Sequence, residues 1–261
     1  SATSAQMPAD PTFSGTLTSD NVKLITLMLQ GTTTAITKTS SSGRWYNLQQ
    51  SYVNPYTKLL LHMNNPGTST FIDSSDSAHT VTANGDAIGT TTAYFGSGAG
   101  YFDGTGDYLS TGTTTPTFTG DFTVDTWVRY RSVPSTFATL VDTSAGEFKG
   151  VKLELDNATT LRLNVGDTAG TGWSISTTGA ISDPGTALFH HFAVIRSGTS
   201  VKAYMDGVVK IAGTSSAVPV HSGVVLVGAS NYGSVGRYTN GVMDEVSIAN
   251  IARWTSDFTP P

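Results

Sequence analysis

Two carboxylates on one short segment come nearest to a catalytic pattern in this sequence. Glu154-Leu155-Asp156 places two carboxylates two positions apart, and a retaining glycoside hydrolase requires such a carboxylate pair. No third carboxylate follows at the next positions, where Thr159 stands, and the whole chain contains only three glutamates. Retaining hydrolysis needs its two carboxylates about 5–5.5 Å apart. We therefore interpret Glu154 and Asp156 as the solvated face of a strand and predict no glycosidase activity.

Nucleophilic catalysis by serine or cysteine also lacks a candidate. No Gly-x-Ser-x-Gly segment occurs, and the chain has no cysteine, so thiol catalysis, disulfides and cysteine-bound zinc are excluded. His190 and His191 are adjacent in an apolar strand pattern, where neighbouring side chains point to opposite faces. At most one of them can be buried, and we interpret both as structural. The sequence predicts a protein that is not an enzyme.

The segment FIDSSDSAH (71–79) is rich in oxygen ligands. Asp73, Asp76 and the serine hydroxyls form the kind of flexible, oxygen-only set that calcium prefers. Aspartate and serine also stabilise turns by bonding to nearby backbone N–H groups. Both interpretations of this loop remain open from the residues alone.

Asp244 is the second unusual carboxylate, because it lies within the apolar strand pattern GVMDEVSI. Strict alternation places it on one face with Val242, Val246 and Ile248, so its carboxylate is expected to point inward. A buried carboxylate without a partner costs several kcal/mol. Asp244 therefore needs a cluster of backbone N–H groups, an arginine or lysine, or a hard cation.

The long polar connection ASNYGSVGRYTNG (229–241) carries the candidate ligand-binding residues. Aromatic rings hold sugars by stacking, and amide or guanidinium groups bind their hydroxyls, so Asn231, Tyr232, Arg237 and Tyr238 are predicted to bind carbohydrate. The alternative is a glycine-rich loop that binds no ligand.

The elements that must position these residues are β-strands. From residue 58 onward the hydrophobic period is two, as in FTVDTWVRY, where Phe122, Val124, Thr126 and Val128 share one face. Asp206-Gly207 lies between two such runs and predicts a hairpin with a type I′ turn. Many short strands separated by turn signals indicate an all-β sandwich or barrel, in which Trp127 and Trp173 are predicted to be packing residues.

Charge and hydropathy exclude two classes of partner. The net charge is −5, and no basic run offers the clustered lysines and arginines that nucleic-acid binding requires. The longest apolar stretch, Leu24 to Leu29, is far too short to span a bilayer. We therefore expect neither nucleic-acid binding nor membrane insertion.

Residues 1–57 differ from the rest in composition. They combine a threonine- and serine-rich stretch with one apolar segment, NVKLITLML, whose pattern fits a strand or a helix. A segment of this size without disulfides or metal rarely folds alone. The sequence pattern of the later strands predicts polar outward faces, which would offer residues 1–57 little apolar surface to pack on. We therefore predict that residues 1–57 dock on another copy of the chain or on another protein.

Eight fragments in a fixed order resemble a known family. The fragments are TKLLLHMN, FIDSSDSAHTVTANGDA, YFDGTGDYLS, DFTVDTWVR, FHHFAVIRSG, AYMDG, GVMDEVSI and IARWTSDFTPP. Together they resemble the laminin-G-like jelly roll of the concanavalin A-like lectin/glucanase superfamily over residues 58–261. The closing IARWTSDFTPP is similar to the version found in bacteriophage fibre and other virion proteins.

This resemblance implies a two-sheet antiparallel jelly-roll sandwich, frequent carbohydrate binding and often a structural calcium ion. In the family, the oxygen-rich loop and the aspartate of the last strand often meet around that ion, which predicts calcium at Asp73, Asp76 and Asp244. The predicted protein is a bacteriophage virion surface protein, a fibre or a capsid decoration, that displays a lectin-like domain to host-surface carbohydrate. Its N-terminal segment would bind virion proteins and, by analogy with phage fibres, form a homotrimer. The alternatives are a cement protein that binds no sugar and a secreted bacterial carbohydrate-binding adhesin.

Overall fold

The computed structural model describes residues 26–29, 32–35, 55–112, 118–144, 148–219, 223–231 and 234–261, the first two ranges as strand backbone alone. The chain divides into two compact units, 1–51 and 52–261. In the first unit, β1 (Thr26–Leu29) and β2 (Thr32–Ala35) pair as an antiparallel hairpin. No helix within the described ranges is long and apolar enough to cross a membrane.

The second unit is built from seventeen further strands among the described residues. In chain order they are β3 (Thr57–Leu61), β4 (Val81–Asn84), β5 (Ile88–Thr90), β6 (Ala99–Asp103), β7 (Tyr108–Thr111), β8 (Phe122–Tyr130), β9 (Ala138–Asp142), β10 (Val151–Asn157), β11 (Thr160–Gly166), β12 (Trp173–Ala180), β13 (His190–Ser197), β14 (Ser200–Met205), β15 (Val208–Thr214), β16 (Leu226–Val227), β17 (Ser230–Asn231), β18 (Val235–Gly236) and β19 (Asn240–Ala249).

Two large antiparallel sheets form the jelly-roll sandwich. One has seven strands in the order β12-β11-β10-β9-β16-β7-β4. The other has eight, in the order β15-β14-β13-β8-β19-β6-β5, with β3 paired to β19. Neighbours such as β8 and β19 lie far apart in sequence, as a jelly roll requires. The predicted fold class is confirmed.

The inner faces of the two sheets form one apolar core. Phe122, Val124 and Val128 of β8 are buried in it, and Thr126 is buried on the same face, as the alternation predicts. The facing residues of the seven-stranded sheet are the predicted alternating apolar positions, namely Val151, Leu153, Leu155, Leu161, Leu163 and Val165. Full burial of each such side chain contributes about 1.5–3 kcal/mol. This core holds β8 and β19 rigidly at the centre of the eight-stranded sheet.

The outer face of the eight-stranded sheet is partly covered by the C-terminal residues 250–261. The rings of Trp254 and Phe258 stack with centroids 4.0 Å apart and pack on Tyr204 and Ile195. The expectation that outward faces are polar is therefore wrong for this sheet, because its own C-terminal segment supplies the apolar cover.

The predicted Asp206-Gly207 hairpin is confirmed, with φ values of 52° and 74° at the two residues. Glycine is also required there for space, since a Cβ on Gly207 would lie 1.8 Å from the carbonyl oxygen of Phe258. The turn therefore joins β14 to β15 and receives the C-terminal segment.

A β-bulge in β19 changes which face Asp244 occupies. Glu245 has φ of 50°, and the register with β8 passes from Asp244↔Trp127 to Ser247↔Asp125, so β19 carries one extra residue there. Before the bulge Asp244 is on the outer face, and after it Val246 points into the core. The predicted common face of Asp244, Val246 and Ile248 is therefore wrong, because the bulge breaks the period of two.

Candidate functional site

An aromatic cluster lies on the outer face of the eight-stranded sheet. Trp127 of β8 is 6% exposed, and the ring of Tyr94 stacks on it with centroids 3.9 Å apart and planes 19° apart. Phe95 meets Trp127 edge-on at 5.9 Å, and Phe189 lies 5.6 Å from Tyr94. Tyr94 and Phe95 remain 47% and 38% exposed. The loop between β5 and β6 thus presents two accessible rings above a buried tryptophan.

Asp244 holds this loop in place. One of its carboxylate oxygens, Oδ2, accepts the backbone N–H groups of Tyr94 at 2.9 Å and Phe95 at 3.0 Å. Oδ1 accepts the N–H of Glu245 at 2.9 Å. Burial raises the pKa of the Asp244 carboxyl above its usual value, the hydrogen bonds from the loop oppose that rise, and the charge of Glu245 adds to it. Of the three partners considered from sequence, the structure places a cluster of backbone N–H groups at Asp244.

Beside the aromatic cluster is a pocket of about 320 Å³, here named the aromatic pocket. Its lining residues are Leu60, Phe95, Asp125, Trp127, Glu245, Ser247, Arg253 and Pro261. The Ser247 side chain is 3% exposed, and its hydroxyl has no hydrogen-bond partner within the described part of the chain. A buried hydroxyl of this kind is a feature that a ligand can satisfy.

The charged groups of the aromatic pocket are fixed by ion pairs. Asp125 accepts from the Arg253 guanidinium at 3.0 Å and lies 3.3 Å from Nε2 of His191. Glu245 contacts Nδ1 of His62 at 2.8 Å. This hydrogen bond raises the pKa of His62 above its usual value, and partial burial opposes the rise. The pocket therefore offers oriented acceptors and donors beside an aromatic surface, which suits a ligand with hydroxyl groups and an apolar face.

Asp73, the first predicted calcium ligand, accepts four hydrogen bonds, three from its own loop and one from β3. Its Oδ1 accepts the N–H groups of Leu60 at 3.0 Å and Ser75 at 2.9 Å. Its Oδ2 accepts the Ser75 hydroxyl at 2.9 Å and the N–H of His79 at 2.8 Å. Asp76 is exposed to solvent. Asp73 thus makes the hydrogen bonds of a turn-stabilising residue, one of the two interpretations that the sequence left open.

Another set of carboxylates lies closer together than the predicted ligands. Among the residues that the structure describes, one group of three acidic side chains, Asp86, Asp103 and Asp107, brings ligand oxygens within 4.8 Å of one another. Asp107 uses both oxygens to accept the N–H groups of Asp86 and Asp103, at 2.8 and 2.9 Å. These hydrogen bonds close the loop and explain why the three carboxylates lie close together. Calcium at Asp73, Asp76 and Asp244 remains a prediction.

The predicted sugar-binding loop is held against the seven-stranded sheet. The guanidinium of Arg237 donates to Glu154 at 2.7 Å and lies 4.0 Å from the ring centroid of Phe137. The hydroxyl of Tyr238 donates to the carbonyl of Val235 at 3.1 Å. These two side chains therefore have partners within the protein.

Of the other two predicted residues, the structure describes Asn231 alone. Asn231 lies in β17, where its backbone N–H donates to Asp142 at 3.2 Å. Tyr232 lies outside the described residues. None of the four predicted residues is among those that line the aromatic pocket. Sugar binding by this loop remains a prediction.

Glu154 is not part of a solvated face, so that interpretation is wrong. It is fully buried and contacts Arg237, the Lys152 ammonium at 3.3 Å and the Thr139 hydroxyl at 3.1 Å. The cause is the connection after β16, which folds over β9, where the Thr139 N–H donates to the Arg237 carbonyl at 2.9 Å. Asp156 is partly buried and paired with Arg162.

The histidine pair behaves as predicted. His191 is fully buried, and the adjacent His190 is partly exposed and hydrogen-bonded to Asp206 at 2.6 Å. Sequence reasoning missed the aromatic cluster, however. The available signal was the pair Tyr94-Phe95 in a loop otherwise made of small residues (GTTTAYFGSGAG), where no core position accounts for two large rings.

The sequence matches a known family over much of this fold. Residues 103–257 match the concanavalin A-like lectin/glucanases superfamily in its laminin G form. The chain therefore belongs to that superfamily. No curated protein matches the sequence.

Solved structures with the same fold include binding domains of botulinum neurotoxins. One is botulinum neurotoxin type C, whose cell entry depends on interaction with two ganglioside molecules; it has 13% identity and a TM-score of 0.58. Another is the binding domain of botulinum neurotoxin DC in complex with rat synaptotagmin II, with 12% identity and a TM-score of 0.58. Each match covers 77% of this chain and 49% of the other, so this chain spans about half of their length. At such identity the likeness shows the fold alone.

Proposed function

We propose that this chain is a lectin-like, non-enzymatic binding protein whose aromatic pocket holds a sugar ring. One observation carries the proposal. The accessible edge of Phe95 and the buried Trp127 stand beside a buried Ser247 hydroxyl that lacks a partner in the described part of the chain. A sugar offers both complements, an apolar C–H face for the rings and hydroxyl groups for serine.

The energetics favour a ligand in this pocket. An unsatisfied buried polar group costs about 1–3 kcal/mol, which a hydroxyl of the ligand would recover. The pocket volume of about 320 Å³ is within the range typical of small-ligand sites. Asp125 pairs with the Arg253 guanidinium and Glu245 hydrogen-bonds to His62, so both carboxylates are already oriented as acceptors. Binding therefore requires little ordering of side chains.

The neurotoxin binding domains support a binding role, since one interacts with gangliosides and another with a protein, synaptotagmin. We favour a glycan here because the site is a small concave pocket with convergent polar groups, whereas protein interfaces of standard size bury about 800 Å² on each partner. A protein receptor is the alternative ligand.

The setting we propose is the surface of a bacteriophage virion, as a fibre or a capsid decoration that presents this domain to host carbohydrate. The support is the C-terminal sequence IARWTSDFTPP, which is similar to that of virion proteins and which covers the outer face of the sheet beside the pocket. Co-purification of the native protein with assembled particles tests this setting. A capsid cement without sugar binding would co-purify but bind no glycan, and a secreted adhesin would bind glycan without particles.

A glycan array tests the binding proposal directly. The wild-type chain should bind a restricted set of glycans, and Phe95→Ala and Ser247→Ala should each weaken binding about tenfold, from the loss of about 1.4 kcal/mol of stacking or hydrogen bonding. Phe148→Ala is the matched control, because Phe148 is also 38% exposed but packs on Trp173 of the seven-stranded sheet. Absence of glycan binding by the wild type, or equal losses in the control, would contradict the proposal.

A further inference from the structure

A second pocket of about 360 Å³ opens on the same outer face and contains two arginines. Its lining residues are Ile88, Gly89, Thr90, Thr92, Tyr101, Arg129, Arg131 and Val242. We name it the arginine pocket. The described residues that line it include no carboxylate, although the chain as a whole carries a net charge of −5.

These two arginines differ from the other arginines of the described residues. Four arginines each pair with a carboxylate, and the pairs are Arg162–Asp156, Arg196–Asp121, Arg237–Glu154 and Arg253–Asp125. Arg129 and Arg131 form no ion pair with any residue that the structure describes. The Arg129 guanidinium lies 5.5 Å from the ring centroid of Phe189, and that of Arg131 lies 5.0 Å from the ring of Tyr101 and donates to its hydroxyl.

The geometry of the sheet places both arginines on one pocket. Ile88, Tyr101, Val242 and Arg129 are direct cross-strand partners in adjacent strands, so three apolar side chains form a floor that ends at Arg129. Arg131 follows two positions along the chain from Arg129, so the two Cα atoms lie about 6.7 Å apart and both side chains leave the same face. Both arginines line this pocket, where each can donate to a bound group.

Among the residues that the structure describes, no carboxylate forms an ion pair with Arg129 or Arg131. Asp103 is the nearest acidic residue by register, since it pairs with Asn240, whose carbonyl accepts the N–H of Arg131. Its side chain accepts the N–H of Thr105 at 2.6 Å instead of either guanidinium. The arginine pocket therefore offers two guanidiniums without a carboxylate partner among the described residues, and guanidinium is the donor best matched to planar or tetrahedral oxyanions.

The arginine pocket is adjacent to the aromatic pocket. Trp127 precedes Arg129 by two positions on β8, and Phe189 lies under Arg129 and 5.6 Å from Tyr94. Contacts among the rings of Phe95, Trp127, Tyr94 and Phe189 therefore connect the aromatic pocket to Arg129 of the arginine pocket. A saccharide stacked on these rings can place a substituent between the two guanidiniums.

We propose that the arginine pocket binds the acidic group of a saccharide, a carboxylate or a sulfate, whose sugar ring occupies the aromatic pocket. This inference rests on the proposed function and specifies its substrate class as acidic glycans. Arg129 and Arg131 donate to the oxyanion, and the floor of Ile88, Tyr101 and Val242 contacts the ring that carries it.

The test compares neutral, carboxylate-bearing and sulfated glycans on one array, with the full chain. Wild type should bind acidic glycans more tightly than their neutral counterparts, and added salt should weaken binding of the acidic ones alone. Arg129→Met should reduce affinity for the acidic glycans by about 10- to 100-fold, as expected for loss of a charge-assisted hydrogen bond, and should leave neutral glycans within about twofold. Arg162→Met is the matched control, because it removes one arginine from the other sheet.

Each outcome decides the inference. Loss confined to carboxylates or to sulfates identifies which oxyanion the pocket accepts. Binding of neutral glycans with no preference for acidic ones, or equal losses in Arg129→Met and Arg162→Met, would overturn the arginine pocket and leave the proposed function intact. Weaker binding of every glycan in Phe95→Ala, together with weaker binding of the acidic ones alone in Arg129→Met, supports both. No binding of any glycan by wild type rejects both.

Discussion

Replacement of Asp244 by alanine tests how the aromatic cluster is positioned. The carboxylate accepts three backbone N–H groups, those of Tyr94, Phe95 and Glu245, and is fully buried. In Asp244→Ala these donors lose their acceptor. Each unsatisfied buried donor costs about 1–3 kcal/mol, and we take about 1 kcal/mol each because the loop lies at the surface, where water can enter. The expected loss in unfolding free energy is therefore about 3 kcal/mol.

A loss of this size is readily measured. For a folded unit of this length, about 1 kcal/mol corresponds to 2–4 °C, so the melting temperature should fall by about 6–12 °C. Urea unfolding followed by tryptophan fluorescence gives the free energy directly, and the stacked Tyr94–Trp127 pair should change the native spectrum when the loop is released. Glycan binding at the aromatic pocket should weaken in parallel, because Phe95 is no longer held beside it.

Two further variants make this prediction specific. Asp244→Asn keeps one oxygen for Tyr94 and Phe95 and places an NH₂ group against the N–H of Glu245, so its expected cost is about 1 kcal/mol. Asp76→Ala removes an exposed carboxylate and should change stability by less than about 0.5 kcal/mol. If Asp244→Ala were as stable as Asp76→Ala and bound ligand normally, the three hydrogen bonds would not position the loop.

The remaining predictions concern pH, calcium and assembly. Because the pKa of His62 is raised in the folded state, its contact with Glu245 stabilises the fold fully below pH 6.5, the ordinary pKa, and less as the pH rises through the folded-state pKa. In urea unfolding, the difference in unfolding free energy between wild type and His62→Gln should therefore shrink as the pH rises. A difference that is constant with pH would refute this. If calcium binds at Asp73 and Asp244, chelator should lower the melting temperature of metal-loaded protein but not of Asp244→Ala, whereas superimposable melting curves would rule out the ion. Light scattering should find the full chain to be an oligomer, predicted as a trimer, and a chain that begins at Thr57 to be a folded monomer; a full-length monomer would contradict this.

Local patterns predicted the architecture correctly. The period of two in β8 and β10 identified the core faces, since alternation is a property of the strand itself. The Asp206-Gly207 turn was also predictable, because positive φ at both residues restricts which side chains can occupy it. The resemblance predicted the superfamily that the sequence match confirms. These features depend on residues that are close together in the chain.

The candidate site was predicted poorly because it depends on residues far apart. Asp244 bonds to Tyr94 across 150 positions, and Arg237 bonds to Glu154 across 83. Neither partner is marked by any local pattern. As a result, the sequence did not show that Arg237 pairs with a buried glutamate, and Glu154 looked solvated although a connection folds over it.

The sequence by itself therefore determined that the chain is an all-β sandwich with a core on alternate strand positions, because backbone geometry and local turn preferences set those features. The tertiary structure alone decided which polar groups are left without a partner. The bulge at Glu245 turns Asp244 outward, the C-terminal segment covers part of the outer face, and the register of β8 with β19 places Ser247 and Arg129 in two adjacent pockets. Whether a polar side chain is satisfied depends on what folding brings against it, and those contacts come from strands and loops that the chain order separates.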